Sequence, residues 1–486
     1  MQWRQNSPSQ NGTNKLDFFK DTIAAISTPA GVGGIAVVRV SGPEALAIVN
    51  SAWKGTDLLK TDSHTAHFGK FLSVDGKVID EGLVTIFKSP NSFTGENVVE
   101  IGIHGSVWIQ KEILTDLVNR GARIANPGEF TQRAFLNGKL DLAQAEGVAD
   151  LIASTSKAAH DMALSQTRGA FSKEFNDLRE KLIEFASLLE LELDFSEEDV
   201  EFADRTALVS LLDNILSKVK NLASSYSRGA VMKNGVPVVI AGIPNAGKSS
   251  LLNLLINDDK AIVTDIPGTT RDIIEDTTEI DGILFRFIDT AGLRETDDFV
   301  EGIGVNRAYE AMKKAFIVIW MIDHTSDLDI QLKEMISFAE SNPSKPIITL
   351  INKSDLLSSQ KSSLNSTPNS SLTQYIPTNP FISSSIPFST LTREGLDSLV
   401  SSLISHTKAD QNPETDVIVT NARHYEALTH ASASLQQAIQ SLNSQLSGDF
   451  IAQDVREAIS HLATITGAIT TDNLLHSIFS RFCIGK

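Results

Sequence analysis

The sequence is poor in cysteine and in long apolar runs, and it carries an excess of acid. Its one cysteine, Cys483, excludes an internal disulfide framework and any cysteine-rich metal site. The longest apolar runs, such as Ala315–Ile322, are too short to span a bilayer, and no secretory apolar segment opens the chain. We therefore expect a soluble, cytoplasmic protein without a membrane partner.

Acidic residues outnumber basic ones by 60 to 42, which gives a formal net charge of -18. A protein that grips nucleic acid through a broad basic face is normally basic, because counterion release from phosphates dominates such binding. Any contact with RNA must therefore be local, weak or shared with another subunit. Residues 1–20 are rich in Ser, Asn and Gln, and we expect a disordered extension there rather than a targeting segment.

The most informative stretch is an apolar strand followed by a glycine-rich loop. Val236–Ile240 is a β-branched run typical of a buried strand, and it leads into a Gly-x-x-x-x-Gly-Lys-Ser loop over Gly242–Ser249. Such a loop turns its backbone N–H groups towards phosphates, Lys248 can reach the β- and γ-phosphate oxygens, and Ser249 can offer its hydroxyl to Mg²⁺. A strand-to-helix turn that binds nothing is the alternative, but the flanking strand and helix favour a phosphate-binding loop.

Two further short motifs follow apolar strands in the order that a GTPase requires. The carboxylate of Asp289, in Asp-Thr-Ala-Gly, can reach Mg²⁺ through water, and the N–H of Gly292 can touch the γ-phosphate. Asp355, which ends Asn352-Lys-Ser-Asp355, can accept both N1–H and the exocyclic amine of guanine, a pair of donors that adenine lacks. The sequence therefore predicts GTP binding.

The segment between the first two motifs, Thr264–Asp272, predicts a switch loop. Such a loop needs a hydroxyl that completes Mg²⁺ coordination when the γ-phosphate is present, and Thr270 is the candidate. A plain polar loop is the alternative. The residues expected to contact GTP are Asn245, Ala246, Gly247, Lys248, Ser249, Ser250, Thr264, Asp265, Ile266, Pro267, Gly268, Thr269, Thr270, Asp289, Thr290, Ala291, Gly292, Asn352, Lys353 and Asp355.

Two positions separate this chain from Ras-like switches. Leu293 stands where those proteins place a glutamine that orients the attacking water, so a different polar group must do this. Asn245 carries an amide oxygen that can hold a monovalent cation beside the phosphates, and the cation would supply the charge that an arginine finger supplies elsewhere. Ser389-Thr-Leu391 is the best match to a guanine-side Ser-Ala-Lys loop, but it is degenerate and we assign it no site residue.

The patterns around the GTP motifs predict a helical domain that those motifs interrupt. Short β-rich runs alternate with Gly, Pro and Ser over residues 21–136, which favours an α+β domain. A helical period runs through 137–231 and resumes over 409–486, so 232–408 is predicted to be an α/β P-loop G domain of Ras-like fold inserted into an all-α domain. Predicted core positions of the helices include Phe171, Phe175, Leu178, Leu182, Phe185, Leu189, Tyr425 and Leu428.

Taken together, these motifs resemble the MnmE family, also called TrmE, of bacterial tRNA-modification GTPases. The likeness rests on Gly242-Ile-Pro-Asn-Ala-Gly-Lys-Ser249, Thr264-Asp-Ile-Pro-Gly-Thr-Thr-Arg-Asp272, Asp289-Thr-Ala-Gly-Leu-Arg294 and Phe482-Cys-Ile-Gly-Lys486. The N-terminal stretches that resemble the family are Thr28–Gly34, Asn91–Glu96, Pro127–Phe130 and Ala134–Glu146. The likeness covers residues 21–486.

The resemblance implies a potassium-activated GTPase that forms a homodimer through its N-terminal domain. The implied ligands are Asn245, Thr264, Ile266 and Thr269 for K⁺, and Ser249 and Thr270 for Mg²⁺. Glu301 matches the family's water-positioning glutamate and would act beside Lys248 in catalysis. An FAD-containing MnmG-type partner would join the dimer in a heterotetramer. Together they would add an aminomethyl or carboxymethylaminomethyl group to C5 of the wobble uridine of certain tRNAs.

The N-terminal domain also resembles the folate-binding domain of the glycine-cleavage T-protein, which implies a site for a formyl-tetrahydrofolate derivative. Arg39, Glu100, Lys139 and Lys486 fall on the family's folate positions. Arg39 and Glu100 each end an apolar strand, so a structural ion pair is the alternative for these two. Cys483 lies behind an apolar helix face, and the resemblance gives it a role in tRNA modification; a small core hydrophobe is the alternative.

Two other functions are compatible with the motifs. One is a ribosome- or RNA-assembly GTPase switch, which would make no use of a folate-like domain or of Cys483. The other is a folate-dependent one-carbon transferase with a regulatory G domain, which would turn over a folate without tRNA.

Overall fold

The computed structural model of the chain describes residues 21–194, 205–256, 262–263, 275–289, 301–356, 382–408, 417–444 and 447–485. The chain divides into two compact units, Met1–Ala149 with Gln166–Glu184 and Ile459–Lys486, and Asp150–Ser165 with Phe185–Ala458. No helix among the described residues is long and apolar enough to cross a membrane. The predicted extension over residues 1–20 lies outside the described residues, and the predicted domain boundaries stay predictions.

The first unit is built on a sheet of seven described strands. They are β1 (Ile23–Ile26), β2 (Gly33–Ser41), β3 (Trp53–Lys54), β4 (Thr65–Leu72), β5 (Val78–Phe87), β6 (Val98–Gly105) and β7 (Arg123–Ile124). Their order in the sheet is β3-β4-β5-β6-β2-β1-β7. β7 pairs with β1 in parallel, and the other neighbours are antiparallel.

Two helices, α1 (Ala45–Ala52) and α2 (Val107–Asn119), cover one face of this sheet. Val38 and Val40 of β2 are buried in the core that these helices close. Because successive side chains of a strand point to opposite faces, Arg39 points to the other face. Its register partner on β6 is Glu100, which lies on that same face. The α+β prediction is confirmed, and the two predicted ligand residues share one face.

The chain then becomes helical. The helices are α3 (Glu129–Leu136), α4 (Leu142–Ala153), α5 (Lys157–Thr167), α6 (Ala170–Asp194), α7 (Arg205–Ser224) and α8 (Tyr226–Asn234). The six predicted core positions of α6, from Phe171 to Leu189, are each at most 4% exposed. Their spacing of four and three residues places them on one side of the helix, so the prediction is confirmed.

The second unit contains a mostly parallel sheet of seven described strands. They are β8 (Val236–Gly242), β9 (Ile262–Val263), β10 (Glu275–Ile280), β11 (Ile283–Asp289), β12 (Ile317–Asp323), β13 (Ile347–Asn352) and β14 (Ser384–Pro387). Their order is β14-β13-β12-β8-β11-β10-β9. β10 is antiparallel to β9 and β11, and the remaining neighbours are parallel.

Helices pack on both faces of this second sheet. They are α9 (Lys248–Ile256), α10 (Glu301–Lys314), α11 (Leu328–Ser341) and α12 (Leu396–Lys408). Ile240 of β8 is buried in one core with α9 and α12, whereas its neighbour Val239 is buried in another with α10 and α11. Central strands that are covered on both faces are apolar at every position, which explains the uninterrupted run in β8. The predicted α/β P-loop domain is confirmed.

Three helices follow this domain: α13 (Ala422–Asn443), α14 (Gly448–Thr466) and α15 (Asp472–Phe479). After the P-loop domain, the chain returns to the helices beside the point where it left them. The N–H of Val419 donates there to Ser225 Oγ at 3.0 Å. Tyr425 then stacks on Tyr226 with ring centroids 4.7 Å apart. The predicted insertion is confirmed.

The prediction of a core position is wrong for Tyr425, which is 41% exposed. It lies in the first turn of α13, where its ring stacks on Tyr226 at the surface. Leu428, one turn later, is fully buried as predicted.

Candidate functional site

The carboxyl ends of the parallel strands bring the GTP motifs to one edge of the second sheet. Met321 of β12 is paired with Gly242, where β8 ends, and Asp323 is paired with Asn352, where β13 ends. β11 ends beside them at Asp289. Ligands of open parallel sheets bind at this edge, so the topology places the predicted phosphate and guanine motifs together.

Two glycines allow the loop between β8 and α9 to close tightly. Gly242 has φ +142°, and a Cβ there would lie 2.4 Å from Met321 O. Gly247 has φ +103°, and a Cβ there would lie 2.3 Å from Asn352 Nδ2. Asn245 also adopts a left-handed conformation, with φ 63°. Side chains at these two positions would collide with Met321 and Asn352, so glycine allows the loop to take the tight conformation of a phosphate cradle.

Lys248 directs its ammonium into the cradle. The residue is 7% exposed, and Nζ donates to Gly242 O at 3.1 Å and to Ile243 O at 2.9 Å. Both carbonyls belong to the loop itself. They therefore hold the Lys248 ammonium at the place where the phosphate oxygens of a nucleotide would compete with them as acceptors. Ser249 and Ser250 follow in the first turn of α9 and are exposed. Their hydroxyls are therefore accessible to a phosphate-bound Mg²⁺.

Asn352 ties the cradle to the guanine side of the site. The residue is 1% exposed, and its Nδ2 donates to Ala246 O at 2.7 Å. Its Oδ1 accepts from the N–H of Thr390 at 3.2 Å. One buried amide thus bonds two loops that are far apart in sequence.

Lys353 is held in a left-handed turn beside Asp323. It has φ 66°, and its Nζ donates to Asp323 Oδ2 at 2.6 Å. Burial raises the pKa of Asp323, but hydrogen bonds from Lys353 and Thr325 outweigh it and hold the pKa below its ordinary value. Asp323 therefore stays ionised at neutral pH and keeps Lys353 in place.

Asp355 is positioned by a residue that the sequence analysis left out. Ser389 Oγ donates to Asp355 Oδ1 at 2.7 Å, and Ser354 Oγ donates to Glu394 Oε2 at 3.0 Å. Ser389 is fully buried, so its hydroxyl holds Oδ1 of the Asp355 carboxylate in a fixed position. The sequence signal for Ser389 was its position shortly after the short strand β14. It is the serine of the expected Ser-Ala-Lys loop, in which the alanine and the lysine are replaced.

Several predicted residues fall where the structure describes nothing of their side chains. Thr264–Thr270, Thr290–Gly292 and Lys486 lie outside the described residues. Glu301 is the first residue of α10, and Asp289 is the last of β11. These backbone positions agree with a switch helix and a metal-side strand, and the roles of the side chains stay predictions.

Arg39, one of the predicted folate residues, contacts the C-terminal end of the described chain within the first unit. Arg39 Nη2 donates to Glu100 Oε1 at 2.8 Å, so these two form the ion pair that was the alternative to ligand binding. Gly485 O accepts from Ser27 Oγ at 3.1 Å and from Arg39 Nη1 at 3.4 Å. Lys139 Nζ donates to Pro90 O at 3.1 Å. The pairing leaves the ligand assignment open as a prediction.

Aromatic rings frame the same guanidinium. The centroids of Phe93 and Phe130 lie 5.8 Å and 5.7 Å from Arg39 Cζ. Cys483 lies on the chain segment that reaches this face, and its carbonyl accepts from Gly128 N at 3.3 Å. Its thiol is free and exposed, so the alternative of a small core hydrophobe is wrong.

A buried ionic network under this face was not predicted. Arg133 is fully buried, and it bonds Glu129 at 2.9 Å and Glu96 at 3.2 Å. Its Nη2 also donates to Asp21 Oδ1 at 2.8 Å. Burial raises the pKa of Glu129, but hydrogen bonds from Arg123 and Arg133 outweigh it and lower the pKa. The motif glutamates 96 and 129 therefore stabilise the fold through one arginine.

The parallel sheet, the glycine cradle around Lys248 and the Asn-Lys-Ser-Asp turn at the same edge define a P-loop GTPase. Two family models match the chain: one described as "MnmE helical domain" over residues 142–483 and one described as "GTP-binding protein TrmE N-terminus" over residues 22–139. The chain belongs to the MnmE family of tRNA modification GTPases.

Curated relatives match over nearly the whole chain. The tRNA modification GTPase MnmE of Parabacteroides distasonis is 49% identical over 96% of this chain and 100% of the relative. That of Bacteroides fragilis is also 49% identical over the same shares. That of Cytophaga hutchinsonii is 47% identical over 98% of this chain and 100% of the relative. The solved structure of a variant of Aquifex aeolicus Era bound to GDP.AlF4- is 26% identical, with a TM-score of 0.28 over 41% of this chain and 66% of that chain.

Proposed function

We propose that this chain is a potassium-activated GTP hydrolase that drives tRNA modification. With an FAD-containing MnmG-type partner, it adds an aminomethyl or carboxymethylaminomethyl group to C5 of the wobble uridine, position 34, of certain tRNAs. The observation that carries the proposal is the cradle: Lys248 Nζ bonds the carbonyls of Gly242 and Ile243 in a loop whose tight conformation requires Gly242 and Gly247. Full-length likeness to proteins named tRNA modification GTPase supports the substrate.

Each role in GTP hydrolysis is assigned to a residue of the cradle or of the switch segments. Lys248 would hold the β- and γ-phosphate oxygens, and Ser249 with Thr270 would hold Mg²⁺, which neutralises charge that develops on the phosphates. Glu301, at the start of α10, would orient the attacking water, because Leu293 cannot. Asn245 is exposed at the loop and can present its amide oxygen to K⁺. The other proposed K⁺ ligands are Thr264, Ile266 and Thr269.

Potassium dependence is tested by replacing Asn245 with glycine. Glycine adopts φ 63° without strain, so Asn245→Gly removes the amide oxygen and leaves the loop its conformation. We expect wild-type GTP hydrolysis to fall about tenfold or more when KCl is replaced by NaCl at equal concentration. The variant should show the low rate in both salts. Equal wild-type rates in the two salts would overturn the K⁺ assignment.

The N-terminal unit supports a folate site of the proposed kind. Phe93 is 38% exposed and flanks Arg39, which offers an aromatic wall beside a cation for a ring system with a carboxylated tail. Glu100, Lys139 and Lys486 would complete the site. The bound formyl-tetrahydrofolate derivative supplies the one-carbon unit, and this chain's residues orient it. Cys483, exposed on the adjoining segment, is proposed to act in the modification.

A bare apolar area of the N-terminal sheet supports a homodimer through this unit. Phe68 is 66% exposed, and its register partner Leu83 is 50% exposed, both on the face opposite α1 and α2. Ile35 of β2, on that same face, is 74% exposed. A second copy of this chain would cover such a patch, because monomers rarely leave large apolar areas in water. The dimer would form a heterotetramer with the flavoprotein.

Nucleoside mass spectrometry tests the tRNA reaction. Unmodified tRNA is incubated with this chain, the flavoprotein partner, a formyl-tetrahydrofolate and GTP, and Lys248→Ala is the control. We expect an aminomethyl-type uridine at position 34 with the wild type and at least about a tenfold lower yield with the variant. The acidic net charge of -18 agrees with tRNA being gripped largely by the partner.

The same assay separates the alternative functions. Unmodified uridine in the complete reaction contradicts the proposal. Separately, the assembly-switch alternative is favoured if Cys483→Ser leaves wobble-uridine modification intact while ribosome profiles change. Turnover of the folate without tRNA favours a one-carbon transferase with a regulatory G domain.

A further inference from the structure

We infer that His324 is a positioning residue for guanine recognition. It follows the last residue of β12 and lies beside the end of β13, where His324 Nδ1 is 2.8 Å from Asn352 O. A carbonyl oxygen only accepts, so Nδ1 carries the proton. The imidazolium form keeps this proton as well, and the bond therefore persists in both protonation states of the ring. The inference rests on the proposed use of Asp355 to bind guanine.

His324 holds the start of a turn whose later backbone bonds are Ser354 N to Phe388 O at 3.1 Å and Leu356 N to Lys353 O at 3.0 Å. The β12–β13 ladder ends at the pair Asp323 and Asn352. The next residue, Lys353, has φ 66°, a conformation that costs energy for any residue with a side chain. A strained residue persists when its neighbours fix it. His324 fixes the peptide immediately before the strained position, two residues short of Ser354 and three short of Asp355.

The neighbouring Asp323 holds the same turn in a different way. Its carboxylate bonds the side chain of Lys353 at 2.6 Å, and that contact ends whenever the ammonium moves to a nucleotide. Gln331 Nε2 donates to Asp323 O at 3.0 Å, and Asp323 N donates to Gln331 Oε1 at 2.9 Å. The end of β12 is therefore rigid. His324 bonds a backbone atom from this rigid base, so its support is independent of where the lysine side chain lies.

Loss of the His324 bond should affect base selection more than turnover. His324 is half-buried, so water can replace its ring at Asn352 O, but water does not orient the turn. Asp355 would then sample positions in which one of its two bonds to guanine is poor. The cradle, with Lys248 and Ser249, lies on the other side of Asn352 and keeps its geometry. We therefore expect KM to rise while kcat stays constant.

The experiment compares GTP with inosine triphosphate, which lacks the exocyclic amine, in the full chain. For His324→Ala we expect KM for GTP to rise about three- to tenfold, kcat to stay within about twofold, and the preference for GTP over inosine triphosphate to fall by about the same factor as KM rises. His324→Asn should restore most of the preference, because its amide nitrogen occupies the place of Nδ1. His160→Ala, an exposed histidine of α5, is the matched control and should behave like the wild type.

Two outcomes overturn the inference, and a fourth variant, Asp355→Asn, distinguishes them from failure of the guanine site itself. An unchanged nucleotide preference in His324→Ala contradicts it, and so does a fall in kcat alone. Asp355→Asn should shift the preference towards xanthosine triphosphate if Asp355 binds the base. If that shift is absent, the proposed guanine site is wrong. If it is present and His324→Ala keeps the wild-type preference, only the role of His324 is wrong.

Discussion

Replacing Arg133 with methionine should lower the free energy of unfolding of the N-terminal unit by about 3–5 kcal/mol. Arg133 is fully buried, and its partners Glu96 and Glu129 are 7% and 3% exposed. Methionine fills similar space but leaves the Glu96 carboxylate in the interior without the arginine that pairs with it, whereas Glu129 keeps its bonds from Arg123. An uncompensated buried charge costs far more than a salt bridge at the surface contributes. Denaturant unfolding followed by hydrogen exchange in peptides from residues 96–136 measures the loss for this unit alone.

Arg123→Met is the matched control for this loss. Arg123 bonds Glu129 and Asp21 as well, but its side chain is 42% exposed. Water screens this pair, so we expect the variant to lose about 1 kcal/mol or less. Equal losses in the two variants would contradict the assignment of Arg133 as the centre of the network.

Acid provides a second check on the same network. The pKa of Asp21 and that of Glu129 are lowered, because bonds from Arg123 and Arg133 outweigh the effect of burial. Carboxyls with lowered pKa contribute stability above their ordinary pKa of about 4, and this contribution disappears as the pH falls through the folded-state value. The difference in unfolding free energy between wild type and Arg133→Met should therefore shrink below about pH 4. A difference that stays constant into acid would contradict an electrostatic origin.

Replacing Lys248 with alanine should reduce kcat for GTP hydrolysis about 100-fold or more. The ammonium is the cationic group that the described structure places inside the cradle, on the carbonyls of Gly242 and Ile243. Without it, charge that develops on the transferred phosphoryl group would be neutralised only by the proposed Mg²⁺ and K⁺. Phosphate release under saturating GTP measures the effect.

Lys333→Ala is the control for the cradle lysine. Lys333 is exposed on α11, so its loss should leave hydrolysis within about twofold of the wild type. A Lys248→Ala variant that retains more than a tenth of wild-type activity would show that Lys248 is not the phosphate-binding lysine. Circular dichroism of both variants checks that the fold is intact.

Local constraints explain which parts of the site could be predicted from the sequence. The cradle was predictable because the φ values of Gly242 and Gly247 and the space beside them require glycine within a run of eight residues. The helical seam of α6 was predictable because its period follows from helix geometry alone. Tyr425 was misassigned because periodicity does not show where a helix end reaches the surface.

Contacts between segments that are distant in sequence explain which features of the structure could not be predicted from the sequence. Arg133 meets Asp21, Glu96 and Glu129, and only the last is one helical turn away. Ser389 bonds Asp355 although a long polar segment separates them in the sequence. Its loop keeps only the serine of the expected Ser-Ala-Lys motif. Neither bond leaves a local pattern, because each depends on how the sheet brings remote segments together.

The two ends of the P-loop domain adjoin where Val419 N meets Ser225 Oγ, and Gly229 lies so close that a Cβ there would be 2.1 Å from Val419 O. A gene segment whose product begins and ends at one point can be gained, lost or exchanged during evolution without opening the core of its host. The same adjacency means that the nucleotide-binding part is joined to the helices by chain segments that meet at one place, between α8 and α13.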